Sequence, residues 1–161
     1  MGTTFVSISN ESSPTQAGFW MSDTMLELWL RLLALHLPEP TSDGTNQETI
    51  AIRNQWLLAS KGYFTGCVPH GMEEACSTLA GRAIVRTTIQ SLLVVLRSTP
   101  DPLSAATLNL LGIEGGTFMR DLEASALEDI GRAFLDLLDG KVTGDASSTA
   151  VMPGSTPYHR D

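Results

Sequence analysis

The chain has 161 residues, a length that suits one compact domain with short tails. Its hydrophobic content of 42% is enough for a core and its charged content is only 17%, which together exclude a wholly disordered chain and a highly charged coiled coil. The formal net charge of −8 argues against nucleic acid as a partner, because phosphate binding needs a basic surface.

The N-terminal segment lacks the features of a secretory signal, because residues 1–20 contain no Lys or Arg and no uninterrupted apolar run. The most apolar stretch, residues 25–37, contains Glu27, Arg31 and His36, and it is too short and too charged to span a bilayer. Two cysteines do not make a disulfide framework in a chain of this length. We therefore expect a cytoplasmic protein with no membrane partner.

The N-terminal third is predicted to contain a flexible arm followed by a helix. Residues 1–19 are rich in Ser, Thr, Gly and Asn, and within this arm residues 4–8 suggest a short strand or docking segment. The first helix is predicted over residues 23–37, where Thr24 and Glu27 have the spacing of a capping box. Most of its other residues are Leu, Met or Trp, so this helix is expected to be central and buried on most sides.

Two further helices are predicted in the middle of the chain. Thr45 and Glu48 form a second capping box, and the helix that they open ends at Gly62. Residues 70–97 have helical character again, with a break expected near Ser77-Thr78.

Two more helices are predicted in the C-terminal part. Asp101-Pro102 is an N-cap followed by a proline at the first helical position of a short helix. The last helix begins at Thr117 or at Ser125, and its apolar face includes Leu127 and Phe134.

About five helices joined by short loops, with no convincing strand ladder, predict an all-α fold. The predicted architecture is a single-domain helical bundle over residues 20–140. A flexible N-terminal arm, residues 1–19, precedes it. A flexible C-terminal tail, residues 141–161, follows it and has little to bury.

Negative charge is concentrated in the C-terminal helices. Residues 98–139 carry eight acids and two bases, whereas residues 48–97 carry three acids and five bases. Such an acidic face can simply be solvated and keep the protein soluble. It can also steer and orient a basic protein partner, a hypothesis that places the contact within residues 117–139. The partner-binding candidates are Asp121, Glu123, Glu128, Asp129, Asp136 and Asp139.

Three arginines of the middle helix form a basic stripe, because Arg82, Arg86 and Arg97 fall within a sector of about 60° on the helical wheel. The stripe could receive a phosphate or a carboxylate ligand. The favoured interpretation is that it faces the acidic helices of the same chain or the solvent.

The cluster most similar to a metal or redox site contains Cys67, His70, Glu73, Glu74 and Cys76. Cys67 and His70 are close enough to reach one ion from a turn, and His70 and Glu74 share a helix face if a helix begins just before them. No second close cysteine pair completes a tetrahedral site, so no metal or other cofactor is predicted. If a metal did bind, its candidate ligands would be Cys67, His70, Glu74 and Cys76. A Cys67–His70 nucleophile–base pair lacks an identifiable oxyanion loop.

The run Phe19-Trp20-Met21, between the predicted arm and the first helix, favours either a hydrophobic staple or an exposed anchor for a partner. His36 lies in the last turn of the first helix, where it is expected to favour the helix dipole rather than to bind a ligand.

The sequence contains no nucleophile elbow, P-loop, dinucleotide fingerprint or H-E-x-x-H motif. The favoured function is therefore a non-enzymatic, acidic helical protein-binding module: an adaptor, a chaperone, or an immunity- or antitoxin-type inhibitor of a basic protein. One alternative is a self-associating structural protein, such as a homodimer, that uses a surplus apolar helix face. The other is a small-ligand or metal-binding bundle that uses the Cys67–His70–Glu74 region.

Overall fold

The computed structural model describes residues 2–9, 16–39, 46–62, 66–99, 102–113 and 117–155. Its elements are β1 (Thr3–Ser7), β2 (Gly18–Ser22), α1 (Asp23–His36), α2 (Asn46–Ala59), α3 (Met72–Ala75), α4 (Leu79–Ser98), α5 (Ala105–Asn109) and α6 (Ala124–Leu138). The predicted N-caps Thr45 and Asp101 lie outside the described residues. The predicted helix start at Pro102 is wrong, because α5 begins at Ala105 and its N-cap is Ser104, whose hydroxyl accepts from the Thr107 amide.

The all-α prediction is wrong, because the fold begins with a small antiparallel sheet. Within the described residues the chain is 53% helical, with six helices and two strands. β1 and β2 pair in a register that runs from Thr3↔Ser22 to Ser7↔Gly18. Alternate residues face the core, where Val6 and Phe19 are fully buried. The buried side chains of this segment therefore follow the two-residue period of a strand and not the period of a helix.

Parts of the predicted arm and tail lie against each other. Residues 3–7 and 18–19 belong to the hairpin. The Gly18 amide donates to the carbonyl of Gly144 at 2.8 Å, and the Trp20 amide donates to the carbonyl of Val151 at 3.3 Å. These bonds cover the second edge of β2, whose exposed amides would otherwise be free to pair with another chain.

The first helix is central, as predicted, but its N-cap differs from the prediction. Ser22, the last residue of β2, accepts a hydrogen bond from the Met25 amide at 3.4 Å. The predicted capping box is therefore wrong, and its Glu27 is almost fully buried. Burial, with a smaller contribution from Asp23, raises the pKa of Glu27.

The predicted break near Ser77-Thr78 is confirmed. α3 ends at Ala75, and Thr78 begins α4 as its N-cap by accepting a hydrogen bond from the Gly81 amide at 2.9 Å.

An aromatic cluster joins the hairpin to the helices. Phe134 of α6 packs edge-on against Phe19 of β2 with ring centroids 5.3 Å apart, and Trp29 of α1 lies 5.8 Å from Phe134. Gly131 permits α6 to pack closely on α4 and on Trp29, because a Cβ there would lie 2.7 Å from Leu93 Cδ2 and 3.2 Å from Trp29 Cη2. All three aromatic rings are buried, so the cluster forms the centre of the core.

α4 is long and apolar enough to cross a membrane by length and composition, with a mean hydropathy of 1.4 over 18 residues. Of that window, 39% is buried, and the inward residues Val85, Ile89 and Leu92 pack in the core. Helices α1 and α6 are its principal neighbours.

Candidate functional site

Four of the six predicted acidic contact residues form ion pairs with bases of the same chain. Glu128 Oε2 lies 3.4 Å from Arg97 Nε of α4 and 3.3 Å from Arg132 Nη2 of α6. Asp129 Oδ1 accepts from Arg132 Nη1 at 3.0 Å. These contacts place two carboxylates and two guanidinium groups at the N-terminal half of α6.

The same pattern recurs at the C-terminal end of α6. Asp139 Oδ1 lies 2.7 Å from Arg86 Nη2, and Lys141 Nζ lies 3.1 Å from Asp139 Oδ2 and 3.5 Å from Asp136 Oδ1. Hydrogen bonds from Arg86 and Lys141 lower the pKa of the Asp139 carboxyl. The three acids of α6 and its C-cap Asp139 thus meet four bases, which leaves this surface close to neutral.

The arginine stripe also has a structural explanation. Arg86 and Arg97 face the acidic helix of the same chain, which confirms the favoured interpretation. Arg82 donates through Nε to the carbonyl of Cys76 at 3.1 Å, and so it holds the turn between α3 and α4.

The other two predicted acids, Asp121 and Glu123, lie at the beginning of α6. Asp121 Oδ1 accepts from the Ala105 amide at 2.9 Å and caps α5. Glu123 occupies the N-cap position of α6, but its side chain makes no capping hydrogen bond. Both side chains are exposed.

Met119 lies in the same segment as these acids, and Leu110 lies at the end of α5, whose first amide donates to Asp121; the exposure of neither was predicted from the sequence. The Asn109 side chain donates to the Phe118 carbonyl at 3.0 Å and accepts from the Phe118 amide at 2.8 Å. The residues that follow this pair in sequence, Leu110 and Met119, are 86% and 85% exposed. We call the region that contains the exposed residues Leu110, Met119, Asp121 and Glu123 the α5–α6 tip. The sequence signal that could have indicated the exposure of Leu110 is its position just before Gly112, at the end of a short helix.

A second candidate site is an open cleft of about 470 Å³ between the outer face of the hairpin and the connector that precedes α3. Residues from three parts of the chain line it. We call it the hairpin cleft, and its principal lining residues are Phe5, Trp20, Gln55, Cys67, His70 and Glu73.

His70 connects the two sides of this cleft. It is 5% exposed, its Nε2 lies 3.2 Å from the carbonyl oxygen of Phe5, and its Nδ1 accepts from the Met72 amide at 3.1 Å. These two contacts assign the proton of the neutral ring to Nε2. Burial lowers the pKa of His70, against smaller opposing effects of Glu73 and Phe5. Both ring nitrogens are engaged, so His70 holds β1 against α3 and is not placed as a base for Cys67.

The four alternative metal ligands do not converge. Within the described ranges, no group of three His, Cys, Asp or Glu side chains could hold an ion. Cys67 is exposed at the hairpin cleft, whereas Cys76 is buried, and its burial raises the pKa of its thiol to about 11. Glu74 is exposed, and Glu73 is the carboxylate that lies 3.5 Å from His70 Nδ1.

The aromatic run is divided between the two faces of β2. Phe19 and Met21 are fully buried, whereas Trp20 is half-buried, lines the hairpin cleft and donates through its indole N–H to the carbonyl of Ala146 at 2.9 Å.

No protein-family model matches this sequence, and comparisons with curated proteins and with solved structures find no similar protein.

Proposed function

We propose that this chain is a non-enzymatic protein-binding module that contacts a basic partner protein through the α5–α6 tip. The observation that carries the proposal is the near-complete exposure of Leu110 and Met119 in a region that also exposes two carboxylates. Protein interfaces commonly combine large apolar side chains at the centre with a polar rim. The net charge of −8 would speed the approach of a basic partner.

The tip is favoured over the rest of the acidic surface because its charges are less compensated. The four acids between Glu128 and Asp139 already face arginine and lysine side chains, which a partner would have to displace. Asp121 and Glu123 carry no such ion pair in the described part of the chain. Of the predicted acids, these two are therefore the ones proposed to contact a basic partner directly.

Self-association is the second candidate function, and it is favoured by the outward face of α4. Val94 and Val95 are 65% and 43% exposed there, and the neighbouring Thr87 and Ser91 are uncharged. An equilibrium sedimentation experiment distinguishes the two functions, because self-association predicts a dimer of the purified chain without any partner.

The double substitution Leu110→Ser and Met119→Ser is expected to reduce capture of the partner from a lysate of the producing cells at least tenfold. Removing two central apolar contacts costs more than the 1.4 kcal/mol that corresponds to a factor of ten. Both residues are exposed, so the fold is expected to tolerate the change. Quantitative mass spectrometry of the bound fraction measures the effect.

Leu79→Ser is the matched control, because Leu79 is 90% exposed and lies at the start of α4. The far end of α4 contacts α6 through Arg97 and Glu128, so about 30 Å of helix separates Leu79 from the tip. Equal capture by the control and the double variant would contradict the proposal.

Glu123→Lys is expected to weaken capture of the partner and to make that capture less dependent on the salt concentration.

A further inference from the structure

We propose that the hairpin cleft binds a guanidinium or ammonium group on an apolar stem, as in an arginine or lysine side chain. This site is separate from the α5–α6 tip, so the proposal stands or fails independently of the proposed function. It depends on three features of the cleft: one open carboxylate, neutral acceptors and a fixed aromatic wall.

Glu73 supplies the charge. Among the described residues that line the cleft it is the one carboxylate, and the contacts of both His70 nitrogens are those of a neutral ring. Glu73 Oε1 accepts from the Ser7 hydroxyl at 3.0 Å. Its Oε2 faces His70 Nδ1, which accepts from Met72 and cannot donate as well. A carboxylate has about four acceptor positions, so this group can still receive N–H donors from a ligand.

Gln55 supplies a neutral acceptor in the same cleft. Its Nε2 donates to the carbonyl of Pro69 at 2.8 Å, which orients the amide and leaves Oε1 to accept. Gly71 has a φ of 63°, and a Cβ at this position would lie 2.7 Å from Gln55 Cγ. Glycine thus permits both the left-handed turn and the close packing of the Gln55 stem. A ligand rich in donors and poor in acceptors matches these groups.

The wall of the cleft is aromatic and held in place. Phe5 and Trp20 are cross-strand partners, with ring centroids 5.4 Å apart and an interplanar angle of 62°. The bond from the Trp20 indole to Ala146 fixes the larger ring. Aromatic faces attract cations, and guanidinium groups also stack on them. An apolar stem would pack on the same wall, and a volume of about 470 Å³ is enough for one such side chain.

The test is a fluorescence titration with N-acetylarginine amide, with neutral N-acetylcitrulline amide as the isosteric control. Trp29 and Trp56 are fully buried, so Trp20 is the tryptophan that a ligand in the cleft can reach. We expect saturable binding of the arginine derivative at least tenfold tighter than that of citrulline. Glu73→Gln is expected to weaken it at least tenfold, whereas Glu74→Gln, which removes an exposed carboxylate that does not line the cleft, leaves it unchanged. Equal affinities for the two ligands, or no saturable change with arginine, would overturn the proposal.

A second measurement uses the exposed Cys67, and peptide mass spectrometry separates its modification from that of Cys76, which the unfolded chain also exposes. We expect Cys67 to react faster with aminoethyl than with sulfonatoethyl methanethiosulfonate, by a larger ratio in the folded chain than in the urea-unfolded chain. An equal ratio in both states would contradict a cation-attracting cleft. A further titration compares agmatine, a small amine with a guanidinium group, with a tripeptide that contains lysine and arginine. If agmatine binds more tightly than the tripeptide, the ligand is a small molecule; if the tripeptide binds more tightly, it is a protein side chain. Either result supports the proposal.

Discussion

Replacing Phe134 by Ala is expected to lower the free energy of unfolding by about 3–5 kcal/mol, as is usual for a large aromatic side chain removed from a core. Phe134 is 1% exposed and contacts Phe19 of the hairpin and Trp29 of α1. The substitution removes the ring that these two elements share and leaves a cavity between them. Urea unfolding followed by circular dichroism measures the loss.

Two controls make this prediction specific. Leu110→Ala also removes apolar atoms from a helix end, but the side chain is exposed, so a change within about 0.5 kcal/mol is expected. A double-mutant cycle between Phe19→Ala and Phe134→Ala is expected to be non-additive, because the two rings are in contact. A loss below about 1 kcal/mol for Phe134→Ala would mean that the hairpin does not pack on α6 as described.

Replacing His70 by Ala is expected to cost about 2–4 kcal/mol, because the carbonyl of Phe5 and the amide of Met72 each lose a partner. An unsatisfied buried polar group costs about 1–3 kcal/mol. The substitution also removes the side chain that joins β1 to the segment before α3. Unfolding curves measure the cost, and a loss below about 0.5 kcal/mol would show that these contacts are not maintained in solution.

The same residue predicts a pH dependence. Burial lowers the pKa of His70 in the folded chain below its ordinary value of 6.5. The unfolded chain therefore takes up this proton first as the pH falls, so the free energy of unfolding decreases from about pH 6.5 down to the folded pKa. His70→Ala is expected to remove this part of the pH dependence, whereas His36→Ala, which leaves His70 in place, retains it. An unchanged pH profile in the His70 variant would contradict the assignment.

The helices were largely predictable because their local signals agree with their packing. On α6, Leu127, Ile130 and Phe134 recur at helical spacing and are all buried. The strand suggested over residues 4–8 agrees with β1, but β2 and the pairing of the two strands were not predicted, because each strand has only five residues and alternates against a background of Ser and Thr. Its stability comes from a partner strand and from helices that are distant in the sequence.

For the candidate sites, the sequence indicated which residue types are present but not which side chains contact one another. Counting charges identified the acidic helix, but the Arg86–Asp139 pair joins residues far apart in the chain and depends on the packing of α4 on α6. The spacing of Cys67 and His70 drew attention to the correct connector, yet the engaged nitrogens of His70 give it a different role. Exposure of Leu110 and Met119 follows from tertiary structure and has no periodic signal.

Site-specific photocrosslinking tests the proposed protein-binding function most directly. A benzoylphenylalanine at position 119, with a matched one at position 79, is irradiated in the cells that make the protein, and crosslinked products are identified by mass spectrometry. We expect one basic protein to crosslink from position 119 and not from position 79, with the yield reduced by Glu123→Lys. Crosslinking of the same proteins from both positions, or of none from position 119, would contradict it.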